Sequence, residues 1–74
     1  MLKSTLEIIR GADEAMMDGW REMTFTVIDR MGSDDAKTIR SELTTWAKTH
    51  GVGFEFYTID EFGNGLVEKV RFRF

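Results

Sequence analysis

The feature that most constrains this chain is the alternation at its end, Glu68-Lys69-Val70-Arg71-Phe72-Arg73-Phe74. Side chains on a strand point to opposite faces in turn, so Val70, Phe72 and Phe74 share one face and Lys69, Arg71 and Arg73 the other. Such a segment needs a core on one side only. The run Phe54-Glu55-Phe56-Tyr57-Thr58-Ile59-Asp60 follows the same rule, with Phe54 and Phe56 on one side and Glu55, Tyr57 and Ile59 on the other. Between the two runs, Glu61-Phe62-Gly63-Asn64-Gly65 carries the Gly and Asn that positive-φ turns favour. Val52 to Phe74 therefore reads as a β-hairpin.

The rest of the chain must supply what covers the apolar face of that hairpin. Ser4-Thr5-Leu6-Glu7 has the form of a capping box, with Ser4 as N-cap and Glu7 reaching back to it. A helix is expected over roughly residues 5–18, ending at Gly19. Its apolar residues Leu6, Ile8, Ile9, Ala12, Ala15, Met16, Met17 and Trp20 span an arc of roughly 200°, wider than one buried stripe requires. Asp13 projects into that arc, and Gly11 lowers helix propensity by about 1 kcal/mol relative to alanine, so a bend is expected there. Arg21 to Arg30 then alternates as a strand, with Met23, Phe25 and Val27 facing one way and Thr24, Thr26 and Ile28 the other.

Ser33 is a good N-cap, and Asp34 and Asp35 sit where a helix N-terminus favours negative charge. The second helix, roughly 34–50, places Ala36, Ile39, Leu43, Trp46, Ala47 and His50 on one narrow arc, and Gly51 stops it. The order is helix, strand, helix, strand, strand. Every apolar face is covered if three strands form one sheet with both helices on its apolar side, a two-layer α+β sandwich in a single domain of 74 residues. Two strand orders fit, and the antiparallel one is preferred, because only a one-sided sheet leaves a face as polar as Thr24, Thr26, Glu55, Lys69, Arg71 and Arg73.

Composition narrows the function classes. There is no cysteine and one histidine, His50, so neither a disulfide nor a Cys/His zinc cluster is available. Apolar runs are only a few residues long, and no basic start leads into an apolar stretch, so a soluble, unprocessed, cytoplasmic protein with no membrane partner is expected. Thirteen acidic against ten basic residues give a net charge of −3, which opposes general affinity for nucleic acid. No nucleophile stands with a base, no cofactor is implied, and an enzyme is not expected.

Three surfaces remain as candidates. The outer sheet face brings together Tyr57, Lys69, Arg71 and Arg73, an aromatic among cations of the kind that binds single-stranded nucleic acid. One aromatic instead of two or three, and Glu55 beside it, make a solvated face with Glu55 paired to a base the simpler expectation. His50 is expected as a half-buried helix-ending imidazole, and Asp34/Asp35 and Asp60/Glu61 as a helix start and a hairpin shoulder. Asp13, Met16, Met17 and Trp20 form the partner-binding candidate, because a short chain with two Trp, six Phe and five Met has little interior to take them all. Small, acidic, cysteine-free α+β chains are common among phage and mobile-element accessory proteins that inhibit or modulate a larger host protein, and docking on such a protein is the function expected. Homo-oligomerisation through a sheet edge, burying Phe74 or the rim of the first strand, is the remaining alternative.

Overall fold

The computed structural model describes residues 1–28, 34–60, 63 and 66–74, with the side chain of Ile28 excepted. Its elements are α1 (Lys3–Met17), β1 (Glu22–Ile28), α2 (Asp34–His50), β2 (Gly53–Asp60) and β3 (Leu66–Arg73). They form the expected α+β sandwich, an antiparallel sheet of order β1-β3-β2 under two helices. The C-terminal run is thus the central strand. Its polar neighbours, Thr24 and Glu55, lie directly opposite Arg71 on either side, and the face they share is left bare of helices.

Phe72 is the centre of the core. It is fully buried, packs edge-on to Trp46 at 5.4 Å between ring centroids, and meets Phe25 at 6.0 Å and Phe74 at 6.5 Å. Around it close Ile8 and Ala12 of α1, Ile39, Leu43 and Ala47 of α2, and Val27, Val52 and Val70. The α2 stripe is as its periodicity requires, except at its end: His50 is exposed, and its ring folds back so that Nδ1–H donates to the Trp46 carbonyl at 2.8 Å. Gly51, at φ +67°, then lets the Val52 amide reach the Ala47 carbonyl at 2.8 Å, and Val52 turns into the core.

The start of α1 departs from the capping-box expectation. Leu2 is the N-cap residue, no side chain of the segment itself caps the helix, and Ser4 lies within the first turn. The reason is a carboxylate from the other helix. Glu42 Oε1 accepts from the Leu2 amide at 3.1 Å and from the Thr5 hydroxyl at 2.9 Å, so the first turn is anchored across the helix pair. Met1 brings its amino group to 3.6 Å from Glu42 Oε2. Thr5 is consequently fully buried. α1 runs on through Gly11 as a single helix, where the Phe25 ring packs against the bare backbone.

The buried arc of α1 is narrower than its apolar content suggests. Thr5, Ile8, Ala12 and Ala15 are buried, Ile9 and Met16 are half-buried against the core, and Leu6, Asp13 and Met17 are exposed. β1 is described as far as Ile28, with a register irregularity after Thr26, and the expected continuation to Arg30 lies outside the described residues. The proposed Ser33 cap, and the hairpin residues Glu61, Phe62, Asn64 and Gly65, lie outside the described residues. Gly63 has φ +70°, the left-handed conformation such a turn needs.

Candidate interaction surfaces

The bare sheet face is built in cross-strand rows, because residues paired in antiparallel register point the same way. One row is Glu22, Arg73 and Gly53, the next Thr24, Arg71 and Glu55, the third Thr26, Lys69 and Tyr57. Arg71 Nε lies 3.2 Å from Glu22 Oε1 and its Nη1 3.9 Å from Glu55 Oε2, while the guanidinium stands 5.1 Å over the Tyr57 ring. Arg73 Nε is 4.0 Å from Glu22 Oε2, and Lys69 Nζ donates to Thr26 Oγ1 at 2.9 Å. Tyr57, Lys69, Arg71 and Arg73 do come together as the alternation requires. Each of them already has a neighbour here, and two carboxylates sit among three cations.

On the opposite face, strand parity places Glu68 with Val70 and Phe72, and the structure buries it to 2% exposure. Sequence reasoning passed over this residue, although counting back by twos from Phe72 reaches it. Arg40 of α2 meets it, Nη1 donating to Oε2 at 2.7 Å, whereas Oε1 has no hydrogen-bond partner among the described residues. Arg40 itself is 38% exposed along its side chain, so it carries the charge pair out to the surface.

The Glu42 carboxyl is held below the usual carboxylate range, foremost by the Leu2 amide, then by the Thr5 hydroxyl and the amino terminus, against an opposing effect of burial. His50 and Glu42 both line a shallow groove of about 350 Å³ along α2, with Met1, Thr45, Trp46 and Thr49. Glu42 Oε1 is engaged there by Leu2 and Thr5, and His50 Nδ1 by the Trp46 carbonyl. Asp34 and Asp35 are exposed in the first turn of α2, Asp60 ends β2, and Glu61 is outside the described residues. Among the described residues no three His, Asp or Glu side chains sit close enough to hold a metal ion, and no helix is long and apolar enough to cross a membrane.

The end of α1 differs from all of these. Asp18 is the C-cap and Gly19 takes φ +84°, the Gly19 amide bonding the Met16 carbonyl at 3.1 Å and the Trp20 amide the Ala15 carbonyl at 2.9 Å. This is the same double-bonded terminus as at Gly51. There the residue after the glycine, Val52, is 7% exposed, but Trp20 in the equivalent position is 59% exposed and Met17 87%. Asp13, Glu14 and Asp18 are exposed on the same stretch. Of the four partner-binding candidates, Asp13, Met17 and Trp20 are therefore displayed to solvent, and Met16 is divided between surface and core.

No family model matches this chain, and neither curated proteins nor solved structures show one similar to it.

Proposed function

We propose that the protein is a docking module that binds a larger protein through the C-terminal end of α1, with Met17 and Trp20 as anchors. The observation that carries this reading is the contrast between two like helix ends, one tucking its following residue into the core and the other presenting an indole to water. The hydrogen-bonded terminus fixes the backbone beside Trp20, so seating the ring in a pocket costs little ordering of the chain. Buried aromatic anchors contribute most of the affinity at interfaces of this kind.

Asp13, Glu14 and Asp18 specify the partner's chemistry: an apolar pocket with a basic rim. A protein that covers such a pocket on a larger one blocks or modulates it without catalysis. The bare sheet face supports nucleic-acid binding less well, since Glu22 and Glu55 already face its arginines.

The test is affinity capture from an extract of the source cells with immobilised protein. The Met17→Ser/Trp20→Ser variant should lose a partner that wild type retains, and Asp13→Lys/Glu14→Lys should weaken it, all with unchanged melting temperature. A partner retained equally by all three proteins overturns this surface. Added single-stranded oligonucleotide should leave capture unaffected.

A further inference from the structure

We infer that β2 is a self-complementary edge, and that two copies of this chain pair antiparallel along it to give one six-stranded sheet. Among the described residues both outer strands, β1 and β2, present a free edge, and the two edges are built differently. β1 carries a register irregularity between Thr26 and Ile28, a feature that spoils an edge for further pairing. β2 pairs with β3 residue for residue from Gly53 to Asp60 without a shift, and no described segment pairs along its outer side. It has no proline, no lysine and no arginine, the devices by which edge strands are protected.

The side chains along β2 are under-covered in the same direction. Phe54 and Phe56 face the helices as Phe72 and Val70 do, yet they stay half-buried where those two are fully buried. Their rings meet edge-on at 5.9 Å, leaving apolar area along the outer margin of the core. A neighbouring strand is what would cover it.

The register follows from charge. β2 carries two acids, Glu55 and Asp60. A two-fold axis at Glu55 would set that carboxylate against its own copy, and an axis at Tyr57 would set Asp60 against Phe54 of the second copy. An axis at Phe56 keeps both acids clear of such pairs within the strand, since Asp60 then falls beyond Gly53, where the second copy's β2 begins. It pairs Phe56 with Phe56, Phe54 with Thr58, and Glu55 with Tyr57 of the second copy, whose ring lies beneath Arg71. The α1 end adjoins β1 at the far margin of the sheet, so both Met17/Trp20 surfaces remain free and the dimer would present two of them.

Sedimentation equilibrium over micromolar to millimolar concentrations tests the pairing. Wild type should show twice the monomer mass at the upper end, and Thr58→Lys, at an exposed position, should remain monomeric with its melting temperature unchanged. Because the chain has no cysteine, a mixture of Glu55→Cys and Tyr57→Cys proteins should oxidise chiefly to the mixed disulfide. A monomer mass throughout overturns the inference. So does a dimer that survives Thr58→Lys but is lost in Met17→Ser/Trp20→Ser, which would place the second copy on α1. Preferential self-linking of Tyr57→Cys overturns the register.

Discussion

Phe25 rests on Gly11: its Cε1 lies 2.7 Å from where a β-carbon on that residue would sit. The glycine that weakens α1 as a helix is therefore what allows α1 to lie close against β1. The same ring meets Phe72 at 6.0 Å between centroids, so a displacement at Gly11 is passed on to the centre of the core.

Gly11→Ala consequently sets two effects against each other. Helix propensity gains about 1 kcal/mol, while overpacking a filled site costs about 1–3 kcal/mol. We expect a net loss of about 1 kcal/mol, or a fall in melting temperature of about 4–8 °C for a domain of this size. In a Phe25→Leu background the clash disappears and Gly11→Ala should become stabilising. Urea unfolding of the four proteins in the cycle measures the coupling, and additive effects would show that the contact carries no strain.

The Arg40–Glu68 pair gives a second expectation. Removing one member of a buried pair leaves the other uncompensated, at about 3–5 kcal/mol; the exposure of Arg40 lets water relieve part of this. Arg40→Met should cost about 2–3 kcal/mol by this reasoning. Arg40→Met/Glu68→Leu should recover most of it, because the position lies on the core face beside Val70. A double variant no more stable than Arg40→Met would show that the carboxylate is not the source of the loss.

Glu42 links stability to acid. Its folded-state pKa is depressed, so as pH falls the folded state binds fewer protons at this site than the unfolded state does. Its contribution is complete above its unfolded value and is lost as pH drops through the folded one. Thermal melts from neutral pH down through about pH 4.5 and beyond should show a decline that is shallower in Glu42→Gln, which still accepts from Leu2 and Thr5 but does not titrate. Parallel declines in the two proteins would remove Glu42 as the titrating group.

These three sites show where the sequence is readable. Periodicity alone places Val70 and Phe72 inside, Lys69, Arg71 and Arg73 outside, and the α2 stripe on the core, because each follows from local geometry. The Glu42 cap is not readable that way: it joins residues thirty-seven to forty positions apart, and the local Ser4/Glu7 pattern gave a plausible cap that the tertiary contact displaced. Glu68 was within reach of the strand period, but its charge disguised a core position whose counter-ion comes from a different element. Crowding of large apolar residues points to Trp20, yet its exposure depends on which way the chain leaves Gly19, and no period encodes that.

The two tryptophans should therefore separate function from stability. Trp46 is 8% exposed and packs on Phe72 and His50, so Trp46→Ala should cost about 3–5 kcal/mol. Trp20→Ala, at an exposed site outside the buried cluster, should change stability by no more than about 0.5 kcal/mol. In the native protein, acrylamide should quench a red-shifted component that vanishes in Trp20→Phe and leaves a blue-shifted, protected emission from Trp46. Binding of a partner at the α1 end should shield the quenchable component. If Trp20→Ala instead destabilises as Trp46→Ala does, the indole is part of the core and not an anchor held ready for another protein.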